Sequence, residues 1–147
     1  MTVLIDTAPI VAAADRHSPY SSQIQELLRA IREPLIMSAQ ITAEIDYLLG
    51  KRIGNKAKLA FLHDLAAGRF RVECLQPADY STVAELEAKY PDLRPGIADL
   101  SLVVLAERFQ TRQILTFDRC HFRAIRPLQG GRFMLLPDDH LLLKSVP

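Results

Sequence analysis

Two short apolar runs of β type stop at an aspartate: VLIDT near the start (Val3 to Thr7) and ILTFD near the end (Ile114 to Asp118). Between them, segments of strand and helix character alternate. Strands joined by helices imply βαβ units, a mostly parallel sheet and an α/β fold. In such sheets ligands bind just beyond the carboxyl ends of the strands. Asp6 and Asp118 would both stand there.

The spacing gives the elements. Thr2 to Ile5 is a strand, and Thr7 is placed to cap a short helix with Pro9 in its first turn. Ser18 to Ile31 is an amphipathic helix carrying Ile24, Leu27, Leu28 and Ile31. Leu35 to Met37 is a strand, after which Ser38 caps a helix from about Ala39 to Arg52, with Gly54 at its end. Asn55 to Ala67 is a helix stopped at Gly68, and Phe70 to Leu75 a strand. Thr82 and Glu85 form a capping-box pattern opening a helix that ends before Pro91. Ile97 to Phe109 is a helix, Gln113 to Phe117 a strand, and Arg132 to Leu136 a last strand. No repeat or linker divides the 147 residues, so one domain over 1–147 is expected.

Two further acids stand where apolar residues belong. In the helix after Ser38 the stripe is Ile41, Ile45, Leu48 and Leu49, and Glu44 falls on it by spacing. The helix from Ile97 is apolar nearly all round, which marks it as buried, yet Asp99 shares a face with Leu102, Val103 and Ala106. Each acid has a plain alternative. A strand-end aspartate often caps the next helix. Asp99 would be favoured in a first turn by the helix dipole. Glu44 would reach water at the edge of its stripe. Four buried, unpaired carboxylates would be very costly, so together they call for a partner. No lysine or arginine sits on the stripe beside Glu44, or among Leu100 to Ala106 beside Asp99. A divalent cation is the economical common partner, and oxygen donors without Cys or His spacing point to Mg²⁺ or Mn²⁺. Cys120-His121 is half of a soft-metal pattern with no second half, and a structural or surface role is expected for it. His17, His63 and His140 are scattered and given no catalytic weight.

Charge and cysteine content narrow the setting. The net charge is +1, but it is unevenly spread. Glu73 to Glu107 carries seven acids and two bases, whereas Arg108 to Arg132 carries six arginines and one acid. An arginine-rich stretch around a strand-end aspartate suggests a polyanion such as RNA or DNA, although a charge run alone usually means only a solvated face. Cys74 and Cys120 do not make a disulfide framework and are read as free thiols of a reducing cytoplasm. Asp6 and Pro9 interrupt the apolar start and no basic residue precedes it, so no leader is expected. No stretch approaches the roughly 20 apolar residues of a membrane span.

The ordered set VLIDT, Glu44 in SAQITAEIDYLL, Asp99 in GIADLSLVVLAERF, and ILTFDRCHF resembles the PIN-domain ribonucleases, and among them the VapC toxins of toxin–antitoxin pairs. The likeness runs from Val3 to about Leu136, and its last two motifs are the most specific. Asp6, Glu44, Asp99 and Asp118 match that family's acidic quartet, and Thr116 its hydroxyl position near the metal. Ala8 departs from it, standing where many relatives carry a small polar residue. The resemblance implies a three-layer α/β/α fold and Mg²⁺- or Mn²⁺-dependent cleavage of RNA, in tRNA or ribosomal RNA. It also implies neutralisation by a VapB-type antitoxin, and a homodimer. Asp6 and Asp99 would hold the main ion. Glu44 and Asp118 would complete the shell, bind a second ion or orient the water, and Arg119 and Arg123 would meet the RNA backbone. Two rivals remain: a catalytically inactive nucleic-acid-binding or scaffold domain, and a small-molecule phosphatase of the haloacid dehalogenase type. The second needs an acid where Ala8 stands.

Overall fold

The computed structural model describes residues 2–139. Five strands, β1 (Val3–Ile5), β2 (Leu35–Ser38), β3 (Arg71–Glu73), β4 (Gln113–Leu115) and β5 (Met134–Leu136), form one sheet in the order β3-β2-β1-β4-β5. All neighbouring pairs are parallel. The helices are α1 (Thr7–Ala14), α2 (Ser21–Ala30), α3 (Ala39–Arg52), α4 (Asn55–Ala66), α5 (Pro77–Lys89), α6 (Gly96–Arg108) and α7 (Arg119–Ala124). Together they make the three-layer α/β/α arrangement that the family resemblance implies, around the parallel sheet expected from the alternation. Met1 and residues 140–147, including His140, lie outside the described residues.

Burial explains the strand sequences. Val3, Leu4 and Ile5 of the central strand are at most 1% exposed, as are Ile36, Met37, Ile114 and Leu115. A strand covered on both faces has no use for polar alternation. The edge strand β3 is mostly exposed and carries Arg71 and Glu73, charges that discourage further strands from adding there. Helix α6 packs on β1 and β2, and its residues 100–106 are all buried.

Several boundaries differ from the sequence reading. Helix α5 begins at Pro77, not at Thr82: proline occupies its first turn, and the Asp79 carboxylate accepts from the Gln76 N–H at 2.7 Å. Thr82 and Glu85 therefore lie inside the helix, where the same spacing occurs without a cap. Helix α2 starts at Ser21 because the Ser18 hydroxyl accepts from the Tyr20 N–H at 3.2 Å and holds a turn ahead of it. Strands β3 and β5 are three residues each, shorter than their apolar runs. Helix α7 follows the end of β4, where the sequence pattern predicts no element.

The chain runs outward from β1 through β2 to β3, then crosses back to place β4 on the other side of β1. The strand order thus reverses between β1 and β4, where sheets of this class open a crevice at their carboxyl ends.

Candidate active site

Both strand-end aspartates are caps as well as site acids. Asp6 closes β1 and caps α1, its Oδ1 accepting from the Thr7 N–H at 2.8 Å. Asp118 lies three residues beyond β4 and caps α7, its Oδ1 accepting from the His121 N–H at 2.9 Å. The register joins them. Ile5 pairs with Leu115, which brings Asp6 beside Thr116. The buried Thr116 hydroxyl donates to Asp6 Oδ2 at 2.6 Å and accepts from the Asp118 N–H at 2.9 Å. One threonine therefore fixes the carboxylate of one strand and the backbone that carries the other.

Glu44 and Asp99 approach from the helices. Ser38 caps α3 by accepting from the Ile41 N–H at 3.1 Å, and its hydroxyl lies 2.7 Å from that of Ser101 on α6, deep in the core. This contact ties together the helices that carry Glu44 and Asp99. Glu44 itself is exposed, at the edge of the stripe rather than on it, and Glu44 Oε2 accepts from the Thr7 hydroxyl at 2.8 Å. Asp99 stands in the first turn of α6. The start of that helix is held to α5 by the Gly96 N–H, which donates to Glu87 Oε1 at 2.6 Å. Gly96 has φ +77°, a conformation that favours glycine.

Electrostatics shows that these acids feel one another. Burial pushes the Asp6 carboxyl above the ordinary range, against the hydrogen bonds from Thr116 and Thr7, and the charges of Glu44 and Asp118 push it further. Asp99 is raised to about 7, first by burial and then by the charge of Asp6. Among the described residues, no lysine or arginine pairs with any of the four acids.

The one basic side chain in the site is His121, which the sequence reading assigned to structure or surface. Helix α7 turns it back over the acids. Its Nδ1 lies 2.5 Å from Asp99 Oδ2 and 2.9 Å from Asp118 Oδ2, and Nε2 lies 3.1 Å from the Leu93 carbonyl. Burial lowers its pKa, but the hydrogen bond to Asp99 and the charges of Asp118 and Asp99 prevail, so it is raised. Donor atoms of Asp99, Asp118 and His121 all lie within 4.8 Å of one another. The available signal was a histidine three residues after a strand-end aspartate, the spacing at which a cap brings the N3 residue back to its own capping acid. Cys120, its neighbour, is exposed.

Arg119 and Arg123 are already paired. Arg123 makes a two-pronged contact with Asp139, at 2.9 and 2.7 Å, and Arg119 pairs with Asp138. The basic stretch counted in the sequence stops at Arg132, before these two acids. Arg108 likewise binds Asp79. The acids of the quartet do not line the cavity of about 810 Å³ between α1, α2, α3 and α4. Small-molecule enzymes mostly enclose their substrates, whereas an open rim admits a polymer.

A sequence profile described as "PIN domain" matches residues 3–126. The chain is also 41% identical over 135 residues to Ribonuclease VapC26 of Mycobacterium tuberculosis, an alignment covering 92% of this chain and 100% of that protein. The chain belongs to the PIN-domain ribonucleases of the VapC type. As a VapC-type protein it falls among the endoribonucleases, and the phosphatase reading falls away. Solved structures agree on the fold. The M. tuberculosis sarcin–ricin loop cleaving toxin VapC20 superposes with a TM-score of 0.73 at 15% identity, covering 80% of this chain and 91% of that one. VapBC2 from Rickettsia felis, bound to a DNA fragment from its promoter, gives 0.63 at 18% identity, with 92% and 97% covered. For this VapC-type chain, the strand-end aspartates that cap α1 and α7 coincide with two of the four acids that its sequence motifs single out.

Proposed function

We propose that this single-domain chain is a toxin whose RNA cleavage depends on Mg²⁺ or Mn²⁺ held by Asp6, Glu44, Asp99 and Asp118. The observation that supports this best is the meeting of these acids, from β1, α3, α6 and the end of β4, with no lysine or arginine among their described ion pairs. The donor set fits such an ion, since carboxylate oxygens outnumber the single imidazole. When bound, the ion would lower the pKa of a water near the phosphorus and offset charge on the phosphoryl and leaving oxygens.

The chain's own groups do the rest. Asp6 and Asp99, both partly or fully withdrawn from water, are the main holders. Thr116 keeps Asp6 and Asp118 in register, and Thr7 fixes the outer carboxylate of Glu44, which is free to accept a proton from water at the exposed rim. The open rim admits an RNA strand of tRNA or ribosomal RNA. Arg119, the more exposed of the two paired arginines, meets its backbone by exchanging Asp138 for phosphate. A VapB-type antitoxin neutralises the toxin, a partnership supported by the likeness to VapBC2. The working form is a homodimer in the cytoplasm. No helix among the described residues is long and apolar enough to cross a membrane.

The test is cleavage of total RNA by the purified chain in chelator and in excess Mn²⁺, with the new ends sequenced. Cuts at a few positions in tRNA or ribosomal RNA, present only with metal and absent in Asp6→Asn, are expected. Undiminished cutting in chelator, or by Asp6→Asn, would overturn the reading.

A further inference from the structure

Resting on that metal-dependent reading, we propose that His121 supplies its Nδ1 as a ligand to the same ion as Asp99 and Asp118, and that this nitrogen makes the centre prefer Mn²⁺ over Mg²⁺.

The ring is built for the purpose. Its Nε2 faces the Leu93 carbonyl at 3.1 Å, a group that only accepts, so Nε2 carries hydrogen and donates. In a neutral imidazole that leaves the lone pair on Nδ1. Metal-binding histidines are oriented in this way, the second ring nitrogen donating to a carbonyl or carboxylate. Without metal a proton lies between Nδ1 and the two carboxylates, with Asp99 Oδ2 at 2.5 Å and Asp118 Oδ2 at 2.9 Å, and an ion bound there would take that proton's place and meet the Nδ1 lone pair. Asp99, Asp118 and His121 each bring one ligand atom to the same place, all within 4.8 Å of one another, so one ion would be within reach of all three. The backbone holds the ring from the other side. The His121 N–H donates to Asp118 Oδ1 in the first turn of α7, so carboxylate and imidazole move as one unit. The sequence Asp118-Arg119-Cys120-His121 thus delivers two donors from one capped turn.

The consequence is selectivity. Mg²⁺ is a hard ion that strongly prefers oxygen and gives up water reluctantly, whereas transition ions accept imidazole. Among ions that suit a carboxylate-rich site, Mn²⁺ gains most from one nitrogen.

Electron-spin-echo spectra of Mn²⁺ bound to the full chain test this without reference to RNA, and a titration of bound Mn²⁺ with Mg²⁺ gives the affinity ratio. The native protein should show coupling to a histidine nitrogen. His121→Asn sets an amide oxygen near the place of Nδ1. It should remove the coupling and lower the preference for Mn²⁺ over Mg²⁺ by about tenfold, the low end of what a disturbed metal ligand set costs. A native spectrum free of nitrogen coupling, coupling that survives in the variant, or an unchanged affinity ratio would overturn the assignment. Each of those results leaves metal-dependent cleavage standing, whereas failure of Mn²⁺ to bind at all removes the metal reading and this assignment with it.

Discussion

Asp99 holds protons in the folded chain that it would release on unfolding. Its carboxyl titrates near 7 when folded and near 3.8 when not, so the folded state binds more protons between those values. Asp6 is raised in the same direction by burial, and His121, raised from 6.5, adds stability below that value which is lost as pH climbs through its folded one. The Asp139 carboxyl, lowered chiefly by its hydrogen bond from Arg123, acts in the opposite sense, but only below its usual 3.8. The metal-free protein should therefore lose stability as pH rises from about 4 through about 7. Denaturant melts in chelator at pH 5 and pH 8 measure this. Asp99→Asn should flatten the profile and, at pH 8, stabilise the metal-free protein by on the order of 1 kcal/mol, the gain typical of relieving strain kept for function. A profile unchanged in Asp99→Asn would mean that the raised proton affinity lies elsewhere. The sequence showed that Asp6 and Asp118 end strands, and their motifs set Glu44 and Asp99 beside them. It hid His121, because proximity to Asp99 depends on how α7 folds back against α6, a contact 22 residues apart in the chain.

Elements with long, regular patterns were the legible ones. The helix over Ala39–Arg52 and its Ser38 cap appear where the hydroxyl, the apolar stripe and Gly54 placed them. Short elements were not, for a physical reason. Helix α7 has six residues, too few for an apolar period, and only its capping acid marks it. At α5 two capping patterns competed, and the one with proline in the first turn prevailed because proline cannot sit deeper without losing a hydrogen bond. The Ser38 cap is the element-scale support of the site, since it is wholly buried and touches Ser101 on α6. Ser38→Ala should cost about 1–2 kcal/mol, more than an exposed cap, because the Ser101 hydroxyl also loses its neighbour. Equilibrium unfolding in urea checks this. A loss below about 0.3 kcal/mol would show that the cap does not brace α3 against α6.

At the scale of the molecule, the reversal of strand order between β1 and β4 gathers residues from positions 6, 44, 99 and 118 to one edge of the sheet. The sequence predicted that edge from the alternation of strands and helices, but it overstated the positive surface beside it. Asp138 and Asp139, just past β5, take up Arg119 and Arg123. If RNA displaces Asp138, then Asp138→Asn should tighten RNA binding, and Arg119→Ala should flatten the slope of log K against log salt by about one. Equal affinity and slope in both variants would show that this face stays clear of RNA. The most direct test of one shared metal site is the thermal midpoint of the native chain and of Asp6→Asn, each in chelator and in Mn²⁺ at a hundred times its dissociation constant. An ion bound only to the folded state adds about 2.7 kcal/mol at that excess. For a chain of this size the native midpoint should rise by about 5–10 °C, and Asp6→Asn should rise far less. No shift in the native protein, or the same shift in both, would contradict a site in which the four acids hold one ion together.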